Sequence, residues 1–161
     1  MLFPVMRRLT ILVFAAACCA GPASPGAGDP PGRFQVQREF LHTTEAPTQS
    51  TLYSQGVKVG QTIYVTGMLG IDPKTNQPAG PTIQDQARQA LINCEAVLRA
   101  GGATRANVVE VQALLARPED FAGLNEVYGK FFTVDPPIRS VARLGPDLPG
   151  FLISIKMTAV L

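Results

Sequence analysis

Few side chains in this sequence can do chemistry, and one of them arrives on a stiffened approach. Pro136-Pro137-Ile138-Arg139-Ser140 runs from two prolines into a strand-like segment. Proline fixes its own φ, offers no N–H, and biases the residue before it toward extended backbone, so the chain reaches Arg139 with little freedom to adjust. A guanidinium held at the mouth of a strand suits bidentate capture of a carboxylate. Taken alone, these five residues more simply carry an ordinary surface arginine, so the rest of the chain must decide.

Other reactive types are sparse. His42 is the only histidine; it sits at a strand edge beside a polar loop, with no second cluster of ligands to hold a metal. Of the three cysteines, Cys18 and Cys19 lie near the N-terminus. Cys94 falls within an apolar helical stripe, where a core role outweighs a reactive thiol, and alone it excludes an internal disulfide framework. Ser154 and Lys156 are two apart, sharing one strand face at a separation of about 7 Å. A solvated face explains the pair more simply than a Ser–Lys nucleophile. No motif calls for a cofactor. The net charge of +2 and the lack of a basic cluster interleaved with aromatics give no support to nucleic-acid binding.

The elements that must position these groups can be read from punctuation and period. Val36 to His42 reads as a first strand, and 43–51, polar with Pro47, as a loop. Tyr53–Val59 and Gln61–Thr66 read as two strands meeting in a hairpin at Gly60, and Asp72–Gln77 as a turn. Thr82 and Asp85 have capping-box spacing ahead of Ile83, Ala87, Ala90, Leu91, Cys94, Val97 and Leu98, which recur at helical intervals until Gly101-Gly102. Val108–Leu115 reads as a buried strand. Pro118-Glu119-Asp120 then opens a second helix, with Phe121, Leu124, Tyr128, Phe131 and Phe132 as its apolar face. Asn125 lies on or beside that face, as a structural tie or a site residue. Strands over 138–144 and 151–160 finish the domain, the latter with Ile153, Ile155, Met157 and Ala159 alternating. This order implies an α+β fold, a single sheet with two helices on one face. Leu152, Val160, Val141, Val65 and Val111 suggest that the other face is partly apolar, which predicts oligomerisation through it.

The first thirty-odd residues stand apart. Arg7 and Arg8, an apolar run over 9–17 and small residues after it have the layout of a secretory signal peptide, read here as 1–20, and the run is too short to span a bilayer. Ala15-Ala16-Ala17-Cys18 also resembles a bacterial lipoprotein cleavage site, although Ala15 stands where leucine is usual. Simple cleavage and lipidation at Cys18 both remain open, giving an exported protein, periplasmic or secreted, bound to membrane only if lipidated. Residues 21–33 form a proline- and glycine-rich linker, leaving 34–161 as the folded domain.

Tyr53-Ser54-Gln55-Gly56-Val57, Val65-Thr66-Gly67, the 86–95 helix, Asn125-Glu126-Val127-Tyr128-Gly129-Lys130-Phe131-Phe132 and Pro137-Ile138-Arg139-Ser140 occur in that order. Together they resemble the reactive intermediate deaminase A family (RidA, YjgF-type) over nearly all of 36–161. The resemblance implies a chorismate-mutase-like fold and a homotrimer with sites in clefts between subunits. It implies hydrolysis of reactive enamines and imines, such as 2-aminoacrylate, to 2-oxo acids and ammonia. Arg139 falls where the family holds the substrate carboxylate, and Tyr53, Thr66, Gly67 and Asn125 fall on its cleft-lining positions. The resemblance also marks departures. Active relatives carry a glutamate in the last strand that orients the attacking water, and Ser154 stands there, with Lys156 at the next acidic position. A serine can hold a water but cannot act as a carboxylate base. Val141 and Met68 replace an expected cysteine and glutamine, and Thr51-Leu52 an expected Gly-Pro. A non-catalytic module that binds small carboxylates in the same cleft is therefore the alternative.

Overall fold

The alternation of Ile153, Ile155, Met157 and Ala159 buries four apolar side chains on one strand face in the computed structural model, which describes residues 36–47, 51–145 and 147–161. The expected signal peptide with Cys18, and the linker after it, lie outside the described residues. In chain order the elements are β1 (Arg38–Leu41), β2 (Gly56–Val59), β3 (Thr62–Leu69), β4 (Ile71–Asp72), β5 (Gln77–Pro78), α1 (Ile83–Ala100), β6 (Val108–Leu115), α2 (Phe121–Phe131), β7 (Ile138–Arg143) and β8 (Ile153–Val160). One mixed sheet runs β1-β2-β3-β8-β6-β7, antiparallel throughout except for the parallel β6–β7 pair. A parallel pair needs a crossover, and α2 supplies it. The β2–β3 hairpin turns at Gly60, whose φ of +59° is open to glycine at little cost. The turn after Asp72 closes the separate β4–β5 ladder.

Both helices pack on the same face of the sheet. Thr82 caps α1 as its spacing predicts: its hydroxyl accepts from the Asp85 N–H at 3.2 Å and donates to the Asp85 carboxylate at 2.6 Å. The stripe Ala87, Ala90, Leu91, Cys94, Val97 and Leu98 is buried against β3 and β8. Each large side chain so enclosed contributes about 1.5–3 kcal/mol. The Cys94 thiol donates to the Ile155 carbonyl at 3.2 Å, and burial pushes its pKa far above the ordinary thiol range. Cys94 is core.

Several boundaries and one face assignment differ from expectation. β1 and β2 are shorter than read, while β3 continues past Thr66 to Leu69 through a bulge between Val65 and Met68. The segment Pro118–Asp120 is a 3₁₀ turn, and α2 begins at Phe121. Phe121 is 46% exposed, whereas Val127, left out of the expected apolar face, is buried. Val65 and Val111 do not lie on the open face: they are buried beneath the helices, and Val141 and Leu152 pack against the same core. Of the five residues named for that face, Val160 alone is exposed on it. Phe40, Tyr64 and Ile138 are exposed there as well, around a polar centre of Glu110, Gln112, Lys156 and Thr158. The uncovered face is partly apolar, but through Phe40, Tyr64 and Ile138 rather than four of the five residues expected there.

Two buried amides on α1 hold the loops that border the sheet. Gln86 donates to the carbonyls of Gly80 (3.0 Å) and Gly150 (2.9 Å) and accepts from the Leu152 N–H at 2.9 Å. Asn93 donates to the carbonyls of Leu69 and Ile71 at 3.0 and 2.8 Å. Removing such a partner leaves buried backbone groups unpaired, at about 1–3 kcal/mol each. Gln86→Leu, which keeps the volume and deletes three bonds, should lower unfolding stability in urea by about 3 kcal/mol or more. An unchanged midpoint and slope would contradict that role.

Candidate active site

Arg139 enters β7 on the helix side of the sheet. The parallel register places it opposite Val111, with Val141 opposite Ala113 and Arg143 opposite Leu115, so all three share the face that α2 covers. Its guanidinium carbon lies 4.5 Å from the ring centroid of Tyr128 and 5.8 Å from that of Phe121. Both fall within the range of a cation–π contact. Among the described residues no carboxylate forms an ion pair with Arg139. The rings meet the cation without neutralising it, and its planar N–H fork suits a bidentate anion.

The aromatic platform is itself fixed at both ends of α2. Arg117 grips Asp120 through two bonds of 2.8 and 2.9 Å just before Phe121. At the other end Arg105 makes paired bonds of 3.0 Å to Glu95, stacks 3.9 Å over the Phe131 ring and donates to the Phe131 carbonyl. Tyr128 packs against Phe132 at 4.9 Å. Asn125 is one turn from both Phe121 and Tyr128, on their side of the helix. Its Oδ1 and the Tyr128 hydroxyl are buried without a hydrogen-bond partner. Polar atoms left so mark either strain or a place where a ligand completes the bonding. Burial raises the Tyr128 pKa, and the nearby Arg139 cation offsets this only in part.

A second group forms around the β3 bulge. Thr66 and Gly67 occupy it, and the Thr66 N–H donates to the Gln55 carbonyl at 2.9 Å. Ser154, in register with Leu69 and Leu114, is 7% exposed; a Cβ on residue 67 would meet its Oγ at 2.8 Å. Glycine at 67 permits that close approach. Tyr53 stands apart from both groups, 57% exposed on the loop before β2. Gln55 pins this loop: its amide accepts from the Thr43 N–H at 2.7 Å and donates to the Thr43 and Pro47 carbonyls at 3.0 Å.

The structure thus brings Arg139 and Asn125 to one side, Thr66, Gly67 and Ser154 to another, and leaves Tyr53 on a loop. β3 and β7 are separated by β8 and β6, a span of roughly 14 Å at ordinary strand spacing. Thr66, beside buried Val65, points to the open face, whereas Arg139 points to the covered one. A small ligand cannot touch both groups of one subunit. The platform role of Tyr128 and Phe121 was hidden in the sequence, where both read as core; their seven-residue spacing on one helix face was the available signal.

A six-stranded mixed sheet with two helices on one side and an unpaired arginine on its edge strand defines an α+β protein of one layer of helices on one sheet. Residues 43–161 match the family described as Endoribonuclease L-PSP. A RutC family protein of Saccharolobus solfataricus is 41% identical over 76% of this chain and 97% of its own length. The rat 2-iminobutanoate/2-iminopropanoate deaminase is 37% identical over 78% and 91%. The crystal structure of Escherichia coli TdcF with bound serine superposes with a TM-score of 0.72 at 28% identity, over 76% of this chain and 98% of that one. The chain belongs to the RidA/YjgF family, whose named members include imine deaminases.

With its hydroxyl unpartnered, Tyr128→Phe should leave stability at neutral pH unchanged or slightly raised, while Tyr128→Ala should cost about 3–5 kcal/mol. A raised phenol pKa contributes stability below the ordinary tyrosine value of about 10 and loses it as pH climbs beyond. Tyr128→Phe should therefore also lessen the alkaline fall in stability, as read by urea unfolding between pH 8 and 11. A loss above about 1 kcal/mol at neutral pH would mean that the hydroxyl is bonded after all.

Proposed function

We propose that this protein hydrolyses reactive enamines and imines of the 2-aminoacrylate type to 2-oxo acids and ammonia, in clefts shared between subunits of a homotrimer. The observation that carries this reading is Arg139, braced by two aromatic rings and without an acidic partner among the described residues. The deaminase relatives support the reaction class, and the serine held by TdcF supports a small amino-acid-like ligand. The distance between Arg139 and the Thr66–Gly67 group supports a cleft completed by a second subunit.

In this reading Arg139 clamps the substrate carboxylate. The enamine takes a proton at its terminal carbon and becomes the imine, whose C2 is already electrophilic. Water adds to C2 as the C=N π bond opens and a proton reaches the nitrogen; the new hydroxyl then gives up its proton to solvent as the C–N bond breaks, releasing ammonia and leaving the 2-oxo acid. Positioning and local charge supply much of the acceleration. Backbone donors near Gly67 would face the reacting group, Tyr53 and Asn125 would shape the cleft, and Ser154 would hold the attacking water. A hydroxyl is no base at neutral pH, and loss of a general base costs about 10²–10⁴-fold, so turnover is expected to be slow. Export directed by residues 1–20 belongs to the same proposal, with the imines then formed outside the cytoplasm.

Ser154 favours a second reading, a cleft that binds small carboxylates without turning them over. The two separate in one assay: imines are generated with an amino-acid oxidase and trapped with semicarbazide. The deaminase reading expects wild type to suppress trapping and Arg139→Ala to lose at least about tenfold of that suppression. Absence of suppression by wild type, with a 2-oxo acid still raising its melting temperature but not that of Arg139→Ala, would establish the binding module instead.

A further inference from the structure

The face of β7 that presents Arg139 does not end there. Val141 and Arg143 follow on the same side, and an apolar hollow of about 350 Å³ opens beside them, lined by Leu115, Pro118, Phe121, Val141, Ala142 and Arg143. Phe121 joins the two ends, since its ring also lies 5.8 Å from the Arg139 guanidinium. Like Arg139, Arg143 has no carboxylate partner among the described residues. Asp147 lines a neighbouring hollow together with Arg143, with no ion pair between them among the described residues. Arg143 therefore lines an apolar hollow whose Phe121 wall also meets the Arg139 guanidinium, and neither cation is paired among the described residues.

The geometry points to a substrate with a second carboxylate: Arg143 selects a five-carbon 2-imino or 2-oxo dicarboxylate whose first carboxylate is held by Arg139. Four residues along a strand separate the two arginine Cα atoms by roughly 13 Å. A guanidinium–carboxylate pair places the two carbons roughly 4 Å apart, and the carboxyl carbons of an extended five-carbon diacid are roughly 5 Å apart, so two such pairs need guanidinium carbons roughly 13 Å apart, the separation the two side chains have when they project in parallel from their strand positions. Phe121, Val141 and Leu115 would cover the methylenes, which is where an apolar wall is needed. A monocarboxylate would reach Arg139 but not Arg143, which is exposed and would stay hydrated. The second charge-assisted pair, made only by the dicarboxylate, is the source of the preference.

This inference rests on the carboxylate-clamp role proposed for Arg139, and the test separates the two. Isothermal titration of the full-length protein with 2-oxoglutarate and with 2-oxobutanoate, at fixed low ionic strength, should show wild type favouring the dicarboxylate by about tenfold or more. Arg143→Gln should abolish that preference and leave 2-oxobutanoate affinity within about twofold, whereas Arg139→Ala should weaken both acids. Equal affinity of wild type for the two acids, or a preference that survives Arg143→Gln, would overturn the dicarboxylate assignment and leave the clamp intact. Failure of wild type to bind either acid would overturn both.

Discussion

The site depends on one interaction, the seating of the Arg139 guanidinium against the rings of Tyr128 and Phe121. A surface arginine without contacts would spread over many rotamers, and one with a carboxylate neighbour would be neutralised. Here the aromatic faces hold the cation without neutralising it, and the stiff Pro136-Pro137 approach sets where it begins. Much of the surrounding structure serves that placement. The Arg117–Asp120 fork fixes the start of α2, Arg105 ties its end to Glu95, and the parallel β6–β7 pair sets which way Arg139 points. Part of the entropy of ordering a long cation is thus met in folding rather than in binding.

Two helices can cover only one face of a six-stranded sheet, and this second constraint shapes the rest. The Arg139 group belongs to the covered side at the β7 edge, whereas Thr66, Gly67 and Ser154 gather around the β3 bulge toward the open side. The open face, with Phe40, Tyr64, Ile138 and Val160 around polar Glu110, Gln112, Lys156 and Thr158, is too mixed for a hydrophobic core. Its composition suits a contact between copies that keeps some polar bonding. Ser154 at the bulge would lower the capacity of a cleft there for proton transfer without removing its capacity to bind.

Most elements were legible because their signals are local. The Thr82 cap, the α1 stripe ending at Gly101-Gly102, and the β8 alternation each lie within a few turns or strand repeats. Face assignment was less legible: alternation separates Val65 and Val111 from their neighbours but does not say which set the helices will cover. The amide ties were not legible at all, since Gln86 meets partners at Gly150 and Leu152, far along the chain. For the candidate site, the proline approach pointed to Arg139 and the second helix to Asn125, while Tyr53, Thr66, Gly67 and Ser154 were named through their ordered resemblance to a family. Phe121, Tyr128 and Arg143 were not, because an aromatic under a helix reads as core and a strand-end arginine reads as solvent-facing.

The central claim is that no single subunit holds a complete site, and subunit mixing tests it most directly. Arg139→Ala and Gly67→Leu would be purified separately, each confirmed inactive in the imine assay, then mixed at equal amounts, unfolded and refolded together. Shared clefts require that some interfaces pair an intact Arg139 with an intact Gly67, about a quarter of them at random assortment, so activity should reappear at about that fraction of wild type. Refolded mixtures of the same size and stability as wild type that stay inactive would contradict the account and place the whole site within one chain.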